Sequence, residues 1–278
     1  MSLPISEWQG GGVQLRLTSQ DAEIHYQILG EGPDLVLLHP FPANHRFWMG
    51  VADMLASRYR LIAYDLRGHG DSTPGSGPAT MEKHAADLMH LCDVVKVNQA
   101  IFAGVSIGGY VLFEFWRRHR ERVAALVLSD TRATPDTEEG RAARLKSAED
   151  VQQNGPAAFL EGMVPKLLGQ QTRENRPDVV EGVRKMMSKM TATGIAAIQQ
   201  GMAARPDSVP TLATINVPTL VLVGAEDTLT PLADAELMHQ QIPGSRLEII
   251  PRAGHLAIYE QRNAGGKVIR EFLDGLKL

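Results

Sequence analysis

The stretch Gly104-Val105-Ser106-Ile107-Gly108 sets a serine between two glycines in the form G-x-S-x-G. A serine hydroxyl is a weak nucleophile; it becomes a useful one only when a base takes its proton and a carboxylate orients that base. The pentapeptide alone also fits a glycine-rich turn without chemistry, so its setting decides. A β-branched, apolar run at 99–104 precedes it and a helical pattern at 108–118 follows. A strand turning directly into a helix would hold Ser106 at positive φ and aim the free N–H groups of the helix start at developing negative charge.

The base must be one of nine histidines. His25 alternates on an early strand, and His84, His90, His119 and His239 fall on helical patterns at expected solvent or edge positions. His45 reads as a helix-start residue, with its distance from the site left open. His255, in "PRAGHLAIYE", follows the last strand in a glycine-containing loop and comes last in the chain order Ser, Asp, His. Two acids end strands. Asp227, in "VGAEDTLTP", is the expected orienting acid, while Asp130, in "VLSDTRA", is the alternative, or else a cap or pocket residue. Glu226 is expected to point elsewhere. An oxyanion hole needs two backbone donors. Ile107 supplies one; in "HPFPANHRFW" the prolines at 40 and 42 have no N–H, which leaves Phe41 as the other, beside an expected cis Phe41–Pro42 bond.

These residues need a scaffold, and the apolar periodicity supplies one. Strands are expected at 13–18, 22–29, 35–38, 60–64, 99–104, 123–129, 219–223 and 246–250, with helices at 47–57, 81–95, 108–118, 231–241 and 262–276. Short, wholly apolar strands alternating with helices indicate right-handed βαβ units in a parallel sheet covered on both faces. From 131 to 210 the strand signal stops and helical pattern takes over, too long a span for a bare loop. We therefore expect a core of 1–130 and 211–278 and a helical cap of 131–210, lying over the carboxyl ends of the strands.

Composition narrows the function. The chain has 278 residues, 44% hydrophobic and 22% charged, with a net charge of −4 and scattered basic residues. No cationic footprint suggests nucleic acid or an anionic membrane. The start "MSLPISEWQGGG" does not read as a signal peptide; its glycine triplet at 10–12 reads as a flexible lead-in or turn. The single cysteine, Cys92, lies beside an apolar helix face, reads as a small core residue, and suits a reducing compartment. A cytoplasmic protein, monomer or homodimer, is expected. No sequence cluster has metal-ligand spacing, and "GHGDST" matches neither a Walker loop nor a dinucleotide fingerprint, so no metal or cofactor is expected.

With "HPFP" at 39–42, "DLRGHGDS" at 65–72, "GVSIGG" at 104–109, "GAEDTLTP" at 224–231 and "AGH" at 253–255, the sequence resembles the α/β-hydrolases over almost its whole length. The usual H-G of the oxyanion loop is H-P here, which leaves the Phe41 donor in place. The resemblance implies a twisted, mostly parallel eight-stranded sheet with a helical cap. It also implies that Asp65, Arg67, Gly68 and Gly70 shape a loop beside the site, with Ser72 in that loop and outside the triad. A serine at 106, where related enzymes of alkyl-ester chemistry have aspartate, implies acyl transfer. The segment 194–231 is most similar to enol-lactonases and small-ester hydrolases. The expected activity is hydrolysis of a small carboxylic ester or lactone with water as the second substrate. C–C bond hydrolysis of a ring-cleavage product, perhydrolysis, and a signalling protein that binds a ligand with a retained triad are the alternatives. Five methionines (Met163, Met186, Met187, Met190, Met202) could line an adaptable pocket or simply pack the cap. Arg132, Arg141, Arg144, Arg173, Arg184 and Arg205 could include an anchor for a substrate carboxylate or be solvated.

Overall fold

The computed structural model describes residues 13–277; the glycine triplet at 10–12 lies outside them. In chain order the core elements are β1 (Val13–Ser19), β2 (Ala22–Leu29), β3 (Asp34–Leu38), α1 (Met49–Ala56), β4 (Arg60–Tyr64), α2 (Met81–Val94), β5 (Ala100–Val105), α3 (Ile107–His119) and β6 (Val123–Ser129). Six helices follow: α4 (Glu138–Asn154), α5 (Ala157–Leu167), α6 (Gln170–Asn175), α7 (Pro177–Met187), α8 (Ala192–Ala203) and α9 (Val209–Leu212). Then come β7 (Thr219–Gly224), α10 (Leu232–Gln241), β8 (Arg246–Ile250), a short turn α11 (Ala257–Glu260) and α12 (Arg262–Asp274).

The eight strands form one sheet in the order β1-β2-β4-β3-β5-β6-β7-β8. The hairpin β1/β2 and the β2/β4 pair are antiparallel; every pairing from β4 to β8 is parallel. The expected eight-stranded, mostly parallel sheet is thus present. β5 and β7 are buried at every residue, as their unbroken apolar runs require of strands covered on both faces. The edge strand β8 alternates weakly and is largely exposed.

Register carries the functional consequence. Val105 pairs with Ser129, Ser129 with Leu222, and Gly224 with Ile250. The carboxyl ends of β5, β6, β7 and β8 therefore finish on one rim, and the residues that follow them meet there. The helices between β6 and β7 lie over that rim. Asn44 Nδ2 donates to the Met186 carbonyl, Ala79 N–H to the Ala197 carbonyl, and Gly169 packs against Gly254.

Three details depart from the sequence expectation. A 3-10 turn, His45–Trp48, precedes α1, whose helix proper begins at Met49. A short turn, α11, which the sequence pattern did not show, stands ahead of the last helix, and that helix begins at Arg262 as expected but ends at Asp274. His84 is fully buried, not at an edge. The reason is its spacing: 81, 84 and 88 share one helical stripe, so His84 belongs to the apolar face of α2. Burial holds its imidazole down to about 3.

Cys92 occupies the core position expected of it, and burial pushes its thiol up to about 12. A thiolate is the reactive form. Ellman's reagent at pH 8 is therefore expected to leave the native protein unlabelled and to take one equivalent after denaturation in guanidinium. Fast labelling of the native protein would contradict the burial.

Candidate active site

Ser106 is the hinge between β5 and α3, with φ 56° and ψ −114°. The turn closes because two flanking positions lack side chains. A Cβ on Gly104 would fall 2.6 Å from the Gly108 carbonyl carbon, and one on Gly108 would fall 2.8 Å from the Leu38 oxygen. Helix and sheet thus meet backbone to backbone. The hinge is held by Ser106 N–H donating to the Ser129 carbonyl at 3.0 Å, and by Gly109 N–H and the Thr131 hydroxyl donating to the Ser106 carbonyl at 2.9 and 2.7 Å.

His255 and Asp227 come to this serine from the two loops after β8 and β7. His255 Nε2 lies 2.8 Å from Ser106 Oγ, and His255 Nδ1 lies 2.8 Å from Asp227 Oδ2. With Nδ1–H donating to the carboxylate, Nε2 is the acceptor facing the hydroxyl. Asp227 is held in turn by Leu229 N–H at 2.8 Å, Thr230 N–H at 3.0 Å and the Thr230 hydroxyl at 2.6 Å. Burial works against its charge, yet the His255 ring and these donors outweigh it, and the carboxyl sits below the usual carboxylate range. Thr230, missed in the sequence, also lies 3.2 Å from His255 Nδ1; the D-x-x-T spacing of an Asx-type turn is the signal that would have pointed to it.

Asp130 is placed at the same rim but outside this relay. It adopts φ 45°, takes the Gly224 N–H at 2.8 Å and the Ser129 hydroxyl at 2.6 Å. Burial, and then the charge of Asp227, push its carboxyl well above the usual range.

The two expected oxyanion donors, Phe41 and Ile107, follow β3 and β5, strands that pair side by side in the sheet. Ile107 opens α3, where a backbone N–H has no helical partner. Phe41 follows β3, whose end packs on Gly108, and its bond to Pro42 is cis. His39 braces this loop: its Nδ1 lies 2.9 Å from the Pro40 carbonyl, and its Nε2 accepts the Leu66 N–H at 3.0 Å. Burial holds its imidazole down to about 4, so the neutral ring can donate at one nitrogen and accept at the other.

The 65–72 loop is a buried polar buttress. Asp65 accepts from His45 N–H, His45 Nδ1 and Asp71 N–H, while Arg67 makes a two-pronged pair with Asp87 at 2.7 Å on each oxygen. Ser72 bonds Asp65 and His25 backbone groups and does not join the triad. His25, His45 and Asp65 bring ligand-capable atoms within 4.8 Å of one another, a grouping that chain spacing concealed. The 2.7 Å separation of His45 Nδ1 and Asp65 Oδ1 is a hydrogen-bond length.

Among the arginines considered as anchors, Arg132, Arg144 and Arg205 all pair with Asp136, and Arg205 also stacks over the Tyr110 ring at 4.4 Å. Arg184 pairs with exposed Glu161, and Arg141 and Arg173 are exposed. Met186, Met187, Met190 and Met202 are buried in the common core, so packing accounts for them.

Comparison with known proteins agrees with this geometry. The alpha/beta hydrolase fold family model matches residues 33–261. A thermophilic esterase from Thermogutta terrifontis, solved with malate bound, is 38% identical with a TM-score of 0.91, covering 94% of this chain and 98% of that one. The enol-lactonase from Burkholderia xenovorans LB400 is 28% identical with a TM-score of 0.88, covering 94% and 100%. The 3-oxoadipate enol-lactonase 2 of Acinetobacter baylyi is 28% identical over 257 residues, 89% of this chain and 92% of that protein. Sheet order, the serine hinge and these likenesses agree: the chain belongs to the alpha/beta hydrolase fold family.

Proposed function

We propose that this chain cleaves a small carboxylic ester or lactone through an acyl-enzyme formed on Ser106. That it is a carboxylic ester hydrolase follows from its family and its esterase and enol-lactonase relatives. The observation that carries the finer reading is the unbroken relay from Ser106 Oγ through His255 to Asp227, with both links at 2.8 Å. In this reading the core is 1–130 with 211–278, and 131–210 is the cap that covers the pocket. Small ester or lactone and water are the reactants.

The reaction divides into two steps. Ser106 Oγ attacks the carbonyl carbon as its proton passes to His255 Nε2, and Asp227 stabilises the imidazolium that results. The oxyanion is received by the N–H groups of Ile107 and Phe41, fixed donors that need no reorganisation during the reaction. As the tetrahedral adduct collapses, His255 protonates the departing alcohol; in a lactone this alcohol stays tethered to the acyl group. Water then enters, His255 removes its proton, and the acid leaves with Ser106 Oγ reprotonated.

The orienting acid in this scheme is Asp227, because it bonds the ring; Asp130 bonds the Gly224 N–H instead and braces β7. Steady-state hydrolysis of p-nitrophenyl esters from acetate to octanoate tests the scheme. Ser106→Ala and His255→Ala are expected to lose about three orders of magnitude or more in kcat, and Asp227→Asn somewhat less. Asp130→Asn is expected to keep most of the activity. Turnover that survives Ser106→Ala, or a larger loss from Asp130→Asn than from Asp227→Asn, would overturn the assignment.

The raised Asp130 carboxyl has its own consequence. The folded protein holds this proton to higher pH than the unfolded chain, near pKa 3.9, so the stability it contributes is lost as pH rises above about 4. Asn keeps the Gly224 bond on its carbonyl oxygen and turns an NH2 donor toward the Ser129 oxygen, with no titrating proton to hold. Asp130→Asn should therefore raise the melting temperature at pH 7 more than at pH 4, as read by differential scanning calorimetry. An equal or opposite effect at the two pH values would show that the carboxyl is ionised in the fold.

A further inference from the structure

Two carboxylates beside the triad are not used by the reaction, and both reach the turn between α5 and α6. Glu260 is buried, and its two oxygens take different partners: Oε1 accepts the Gly254 N–H at 2.7 Å and Oε2 accepts the Gly169 N–H at 2.9 Å. The Thr172 hydroxyl is a third donor to it. Gly254 is the residue immediately before His255. Glu226, immediately before Asp227, accepts the Gln170 N–H at 2.7 Å, and its own N–H donates to the Ala253 carbonyl at 2.8 Å. Leu256, immediately after His255, donates its N–H to the Leu167 carbonyl at 3.2 Å.

The backbones themselves touch in this region. A Cβ on Gly169 would lie 2.8 Å from Glu226 Oε2 and 2.9 Å from Gly254 N, and one on Gly254 would lie 2.5 Å from Gly169 N. His255 is thus held on both sides, at 254 and at 256, by residues 167–169 of the helical insertion. A loop histidine has no secondary structure of its own to fix it, and an imidazole must stay within hydrogen-bond reach of both serine and acid. Loss of that reach is costly, since a misplacement of about 1 Å can lower rate about a hundredfold.

We infer that Glu260 is a positioning residue for His255, clamping the α5–α6 turn onto the loops that carry His255 and Asp227, with Glu226 as its accessory. The inference rests on the triad reading above. It makes the insertion a part of the catalytic frame as well as a cover: what displaces residues 167–170 displaces the base.

The test perturbs the clamp from both sides. Gly169→Ala, at a residue with an ordinary extended backbone (φ −63°, ψ 159°), adds a methyl group that pushes the turn off Gly254 and Glu226. Glu260→Gln keeps the size of the side chain and one acceptor but offers an amide NH2 to the other N–H. Each variant is assayed for kcat and KM on p-nitrophenyl butyrate, and for the second-order rate of inactivation by diisopropyl fluorophosphate. The latter reads the base-assisted nucleophilicity of Ser106 without needing a specific substrate.

Both variants, still folded by circular dichroism at the assay temperature, should lose about ten- to a hundredfold in kcat, with an equal loss in inactivation rate. KM should stay within about twofold. A lowered melting temperature with unchanged kcat would make the clamp merely structural and overturn the proposal. A fall in kcat without a matching fall in inactivation would place the defect outside the activation of Ser106 and overturn it too. If Gly169→Ala does not fold, Glu260→Gln, which preserves shape, decides alone. If the reagent fails to label Ser106 in the unsubstituted enzyme, the triad reading itself fails; labelling at Ser106 with unaffected variants removes the positioning role only.

Discussion

Everything at the rim depends on how closely α3 can approach the sheet. The approach is possible only because Gly104 and Gly108 have no side chain to meet the helix carbonyl or the end of β3. It fixes Ser106 at φ 56°, a conformation that costs an L-residue about 1–3 kcal/mol, and the surrounding hydrogen bonds to Ser129, Gly109 and Thr131 must over-determine it. The same geometry turns the buried hydroxyl toward His255 and sets it at the start of α3, where the first N–H groups have no helical partner. The strain, the aim of the hydroxyl and the helix start beside it are consequences of one contact.

Around this turn the fold buries a great deal of polarity, and pairing is what makes that tolerable. Arg67 is fully buried with both prongs on Asp87, and Asp65 is buried with donors on both oxygens. Unpaired, either charge would be expelled or neutralised. These residues lie in the loop after β4 and on α2, so their pairing fixes the floor beside His39 and the loop that carries Phe41. Buried ion pairs of this kind are weak evidence for stability but strong constraints on shape, because removing either partner strands the other.

The sequence carried the parts of the site that depend on chain order and local geometry. Strand–serine–helix, the loop acids after β6 and β7 and the histidine after β8 were all legible, because each lies next to an element whose period is unmistakable. The eight strands were legible for the same reason: β5 and β7 are short, wholly apolar and wholly buried. What escaped was set by tertiary contact. His84 shares a stripe with Met81 and Leu88, but a polar ring on such a stripe is decided by what packs over it. Glu260 gave no signal, because its partners are backbone N–H groups at 169 and 254, and backbone donors leave no trace in sequence. The arginines were equally opaque, since three of them converge on Asp136 only after the chain between β6 and β7 has folded back on itself.

The two kinds of attachment between the insertion and the core are physically different. At the stems, Asp136 gathers Arg132, Arg144 and Arg205 through their side chains; burial pushes its carboxyl up, but the hydrogen bonds and charges of Arg205 and Arg144 outweigh it and hold it down to about 2. The Asp136–Arg205 pair is buried, so it holds the stems as the Arg67–Asp87 pair holds the loop after β4. Along the span the attachment is backbone on backbone: Gly169 against Gly254, Gly194 against Gly68, Gly201 against Ala79. Close-packed backbones have no rotamers to adjust, and they answer displacement by separating, not by deforming. The helices between β6 and β7 are therefore tied to the loops after β4, β7 and β8 by contacts with no slack: a change of side chain, such as at Phe159 beside Phe41, can reshape the space between them, whereas a shift of the helices as a body would move the loops that carry Asp227 and His255.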